Sequence, residues 1–196
     1  MKKVILLLIG IFIFSACEEK NQEETITIGF VTWEENIALA HLAKLTLEKE
    51  GFSVKFRHAD VDPIFSRLLP KKKIDVFMDA WFPTTHQEYI EKYKDHFDIV
   101  GTNFKNAKTG LVVPDYVDIN SITELNKNRN QFKYKITGID IGAGIMLSTE
   151  KAIQAYDLDF ELIPSTNFAM KTALRKAIEK KRMDCDYRLD AKFYFC

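Results

Sequence analysis

Tyr134 to Leu158, "YKITGIDIGAGIMLSTEKAIQAYDL", reads as a strand, a glycine turn and a helix in direct succession. The same order recurs along the chain. "TITIGFVTW" from Thr25 alternates apolar and polar residues as a strand does, and "NIALAHLAKLTLEKE" (Asn36 to Glu50) follows as a helix ended by Gly51. Leu39, Leu42, Ala43 and Leu47 are expected on the inner face of that helix. "FSVKFRHADVD" is a second strand, with Asp62-Pro63 opening a short helix that has proline at its first position. "KIDVFMDAW" is a third strand, and "TTHQEYIEKY" starts a helix with Thr85 and Glu88 spaced as a capping box. "GLVVP" continues the theme, "SITELNKN" gives a short helix, "FELIPSTN" a strand, and "FAMKTALRKAIEKK" a last helix. Strands that alternate with helices pair in parallel, so the fold class is α/β.

The N-terminus belongs to export rather than to the fold. Lys2 and Lys3 precede an apolar run from Val4 to Phe14, too short to span a bilayer, and the run ends in "FSAC" at Cys17. Small residues before a cysteine resemble a lipobox, so Cys17 is expected to carry lipid, with 18–24 as a polar tether to the membrane. The alternative is a stray cysteine beside an ordinary cleavage site. Loss of Lys2 and Lys3 leaves 26 basic residues against 28 acidic, a balance that argues against nucleic acid as partner. Three cysteines, Cys17, Cys185 and Cys196, give neither a disulfide framework nor zinc spacing, and no metal or cofactor is expected.

Chemistry in open α/β sheets gathers at the carboxyl ends of strands. Both tryptophans of the chain, Trp33 and Trp81, fall there, as do His86 and the turn from Gly142 to Ile145. Each tryptophan alone is read equally well as a plug on a lobe surface. Together they suggest an aromatic site for an organic cation. The glycines before "IMLSTEKAI" fit either an ordinary helix cap or a helix start whose free N–H groups hold an anion. An aromatic surface and a helix start together suit a small zwitterion. His86 offers a hydrogen bond to a carboxylate, and the competing reading is a solvated side chain just past the Thr85 cap. His41 and His58 read as surface or packing residues. The pairs Asp60/Asp62 and Glu34/Glu35 read as solvated loop charges, since they lack the partners of an acid–base or metal site.

"GFVTWEENIALAHLAKLTLEKEGFSVKF", "IDVFMDAWFPTTHQEYIEKY", "TGLVVPDYV" and "GIDIGAGIMLSTEKAI" together resemble the glycine betaine/proline betaine substrate-binding proteins of ABC importers. The resemblance runs from about Thr25 to Lys181. It implies a two-lobed type II periplasmic-binding-protein fold, with 25–110 as the first lobe and 111–181 as part of the second. It also implies a box of tryptophans around a quaternary ammonium, in which Trp33 and Trp81 match two walls, and carboxylate binding by backbone amides at Gly144 and Ile145. An ABC permease is the implied partner, and the extracytoplasmic face of a membrane the implied location. A choline or carnitine receptor, an enzyme on the same fold and a surface lipoprotein without ligand are the rival readings.

The tail from Lys180, "KKRMDCDYRLDAKFYFC", has neither the 2-residue nor the 3.6-residue apolar rhythm. Related proteins continue there into a strand and a "GW-P" motif with a third box tryptophan. Met183-Asp184 is encoded by ATG followed by GA, so the frame one base later contains TGG. With permitted codons that frame reads "EWIVITGWTPNFIF". The expectation is that 182–196 is a frameshift product and that binding by this chain is impaired.

Overall fold

The computed structural model describes residues 24–114, 116–179 and 185–186. The leader, Cys17 and all of the tail but Cys185–Asp186 lie outside them.

Two small parallel sheets organise the chain. In the first, β1 (Thr25–Phe30) lies between β2 (Ser53–His58) and β3 (Val76–Phe77), with Thr25 opposite Ser53 and Ile28 opposite Val76. In the second, β4 (Lys135–Thr137) lies between β5 (Glu161–Ile163) and β6 (Cys185–Asp186), with Ile136 opposite both Leu162 and Cys185. Parallel neighbours require crossovers, and helices supply them: α1 (Glu34–Lys49) joins β1 to β2, and α5 (Gly144–Ala155) joins β4 to β5. The α/β expectation therefore holds, and a strand pairing begins inside the stretch that showed no rhythm in sequence.

Several local expectations shift. On α1 the buried positions are Asn36 and Ala40, with Ala43 and Leu47 half-buried behind them, a spacing of four, three and four that keeps one face on the sheet. Leu42, expected inside, is 62% exposed. Pro63 is the third residue of α2 (Val61–Pro63), which continues as a π-helical turn over Ile64–Leu68. "GLVVP" makes a single isolated bridge, at Val112, rather than a strand, although Leu111, Val112 and Val113 are buried. The capping box is found not at Thr85 but at Ser121, where a 3₁₀ turn (Ile122–Glu124) leads into α4 (Leu125–Asn128). Glu124 returns to the Ser121 N–H at 3.1 Å.

The cores explain how the sheets meet. Ile28, Ala40 and Val54 close a small cluster beneath α1. A larger cluster runs from Val31, Trp33 and Phe65 through Leu111 and Val113 to Phe132, Ile136 and Met170. It therefore links Val31, just past β1, and the half-buried Phe77 of β3 to Ile136 of β4, and each side chain it fully encloses contributes about 1.5–3 kcal/mol.

Candidate functional site

Trp33 caps the N-terminus of α1 with its backbone extended, so the ring leaves β1 at the strand's carboxyl end and is 7% exposed. Its indole N–H donates to Asp140 Oδ2 at 3.2 Å, reaching the loop after β4 in the other sheet. Trp81 lies in the corresponding place after β3, half-buried, and its indole N–H donates to Asp79 Oδ1 at 2.8 Å. Each tryptophan is thus pinned by a carboxylate.

His86 stands between them. Its Nδ1 accepts the Trp81 backbone N–H at 3.0 Å, its backbone N–H donates to the Trp81 carbonyl at 2.9 Å, and its ring stacks on Trp33 with centroids 6.3 Å apart and planes 21° apart. Far from being solvated, His86 is fully enclosed, because Phe65 and Tyr89 close the other sides at 5.8 and 6.0 Å. It is the N-cap of α3 (Gln87–Tyr93) by position, without a side-chain capping bond. Burial lowers its pKa to about 4, so the imidazole is neutral at physiological pH. Nε2 has no hydrogen-bond partner among the described residues.

The glycine turn of the second sheet is packed against this group. Gly142 has φ +85°, a left-handed conformation that glycine adopts without penalty, and its carbonyl accepts the Tyr89 hydroxyl at 3.0 Å. Gly144 opens α5 beneath Thr85: a Cβ there would sit 1.9 Å from the Thr85 carbonyl oxygen. Only a glycine permits that approach. Ile145 is half-buried on the same core. Two exposed ion pairs cross the same seam, Lys151 to Glu88 at 2.5 Å and Lys171 to Glu34 at 2.6 Å, so Glu34 is a solvated charge, as sequence suggested, but a paired one on α1 rather than a free one in a loop.

The structure therefore brings Trp33, Trp81, His86 and the Gly142–Ile145 turn into one constellation. Sequence reasoning missed Asp79, Asp140 and Tyr89, and read Thr85 only as a helix cap. The signal for Asp79 was its place two residues before a strand-end tryptophan. Burial, reinforced by the nearby Glu35 charge and opposed by the Trp81 bond, pushes the Asp79 pKa up to about 7. Among the described residues no cluster of three or more His, Cys, Asp and Glu is placed to hold a metal, and no helix is long and apolar enough to cross a membrane.

Residues 24–187 match the family model described as the substrate binding domain of ABC-type glycine betaine transport system. The glycine betaine/carnitine transport binding protein GbuC of Listeria monocytogenes is 30% identical over 112 residues, which cover 57% of this chain and 37% of that one. The structure of a glycine betaine, L-proline ABC transporter binding protein (ProX) from Borrelia burgdorferi superposes with a TM-score of 0.81 at 33% identity, covering 84% of this chain and 63% of that one. Lactococcal OpuAC, in its closed conformation complexed with glycine betaine, gives 0.78 at 32% identity over 85% and 65% of the two chains. This chain spans less than two thirds of the length of each of these three relatives. The architecture is the two-lobed α/β fold of type II periplasmic binding proteins.

Proposed function

The chain belongs to the family of substrate-binding domains of ABC-type glycine betaine transport systems, and from that premise we propose that it captures glycine betaine or a closely related quaternary ammonium zwitterion for an ABC permease. The observation that carries this reading is the meeting of Trp33 and Trp81 at His86, with the start of α5 packed alongside. A trimethylammonium group has no N–H to donate, so only aromatic faces and charge hold it. Trp33 and Trp81 supply the faces. The N–H groups at Gly144 and Ile145, at the start of a 12-residue helix, suit the carboxylate. His86, neutral and enclosed, holds the Trp81 backbone in place and directs Nε2 as a further polar atom for the ligand.

Residues 25–110 and 111–181 act as the two lobes, and closure between them shuts the ligand from water. The protein works outside the cytoplasm, tethered through lipid on Cys17, and binds without turnover. Choline is the weaker candidate, since it lacks the carboxylate that the α5 N-terminus accommodates.

Both tryptophans of the chain lie in this site, so intrinsic fluorescence reports on it directly. Titration into the millimolar range with glycine betaine, carnitine and choline is the test. Glycine betaine is expected to change the emission most, and choline least. No response to any of the three removes the proposal.

A further inference from the structure

Asp79 is a buried carboxylate that lacks a cation. It is 9% exposed, one oxygen takes the Trp81 indole N–H at 2.8 Å, and the other has no hydrogen-bond partner among the described residues. Burying an ionised carboxylate is costly unless an opposite charge compensates it. The ionisable neighbour that acts on Asp79 is Glu35, a second acid, contributed by the first turn of α1 two residues beyond Trp33. The carboxylate is thus bonded to one tryptophan and within electrostatic reach of the helix turn that follows the other. His86, on the turn after Trp81, is neutral; Asp140, across the seam, is occupied by the Trp33 indole; and Glu34 is paired with Lys171. None of these groups supplies the missing positive charge.

We infer that Asp79 is the counter-ion of the bound ammonium group, holding a proton while the site is empty and releasing it to solvent when the cation enters. The inference rests on the function proposed above and adds a residue and a proton to it. Three observations fit together. An unpartnered oxygen needs a charge without demanding a donor, and a quaternary ammonium has charge and no donor. The Trp81 indole bonded to Asp79 becomes more electron-rich as the carboxylate ionises, so the aromatic face and the counter-ion strengthen together. The same burial and the same Glu35 charge place the empty-site pKa at about 7, where a proton is available to leave.

Two consequences are measurable. Affinity for a trimethylammonium ligand rises with pH, by roughly tenfold per pH unit below the empty-site pKa, and levels off above it. Discrimination between glycine betaine and its carbon isostere tert-butylacetate, which keeps the carboxylate but lacks the positive head, depends on Asp79 and falls about tenfold or more in Asp79→Asn.

The experiment begins on the free protein. The indole N–H resonance of Trp81 is followed by NMR against pH in the wild type and in Asp79→Asn, then again with glycine betaine. Calorimetry in buffers of different ionisation enthalpy measures the proton released. The expected result is a titration near neutrality that Asp79→Asn abolishes and that glycine betaine moves to lower pH, with buffer-dependent heat. A resonance flat through neutrality in the free wild type overturns the inference without touching the proposed function. So does glycine betaine binding that neither moves the midpoint nor releases a proton. Failure of every trimethylammonium ligand to bind overturns the proposed function, and this inference with it.

Discussion

The Trp33 indole N–H and the Asp140 carboxylate, 107 residues apart in sequence, meet at 3.2 Å and join the end of β1 to the loop after β4. A hydrogen bond to a charged acceptor contributes about 1.5–3 kcal/mol, and this one orients an aromatic face as well as a seam. Asp140→Ala is therefore expected to weaken glycine betaine binding by about tenfold. Asp140→Asn, which keeps an accepting oxygen, should lose less. Calorimetric titration of both variants checks the order, and equal losses would show that the bond is not what matters.

Gly144 makes the tightest approach across the same seam. A methyl group there meets the Thr85 carbonyl oxygen at 1.9 Å and its Cγ2 at 2.4 Å, and backbone cannot rotate out of the way as a side chain can. Gly144→Ala should force the start of α5 away from the 81–86 turn. Overpacking of this kind costs about 1–3 kcal/mol, which corresponds to roughly ten- to hundredfold in ligand affinity. The fluorescence response to glycine betaine should shrink accordingly, while far-ultraviolet dichroism stays near wild type. A full response with wild-type affinity would rule out this packing.

What the sequence made legible was what local pattern controls. Alternation revealed β1 and β2, and the glycine turn between strand and helix marked β4 and α5. The two tryptophans announced themselves by type and place. Burial, by contrast, is decided by distant chain. Leu42 has a core residue's chemistry yet points outward, because the stripe on α1 runs through Asn36, Ala40, Ala43 and Leu47. His86 looked solvated because its neighbours in sequence are polar, while its neighbours in space are Trp33, Phe65 and Tyr89. Apart from the nearness of Asp79 to Trp81, Asp79 and Asp140 carried no signal of their own in sequence, because the indole nitrogens that reach them are brought there by the fold.

Ser121 offers a test confined to one lobe. Its hydroxyl accepts the Thr123 N–H at 3.3 Å, and Glu124 reaches back to the N–H groups of Asn120 and Ser121 at 2.6 and 3.1 Å. Removing a cap of this type costs about 1 kcal/mol. Ser121→Ala should lower the unfolding free energy by that amount, a fall of roughly 0.3–1 M in the urea midpoint, and leave the glycine betaine affinity unchanged. A change in affinity without a change in stability would contradict the assignment of Ser121 as a purely local cap.

Asp79 and His86 make opposite contributions to the pH dependence of folding. Asp79, pushed up to about 7 from an ordinary 3.8, keeps in the folded chain a proton that the unfolded chain has lost. Stability from that proton is complete below the ordinary value and disappears as pH rises through about 7, a loss on the order of 4 kcal/mol. His86, held down to about 4 from an ordinary 6.5, is neutral in the folded chain where the unfolded one would be charged. Its contribution is complete above the ordinary value and is lost as pH falls through about 4, on the order of 3 kcal/mol. Between those limits the two slopes oppose each other, so neither is visible in the wild type alone. Difference curves separate them. The stability of Asp79→Asn relative to wild type should climb as pH rises toward neutrality, whereas that of His86→Gln relative to wild type should climb as pH falls. Urea unfolding at a series of pH values measures both, and parallel difference curves would show that the two groups do not titrate as their burial requires.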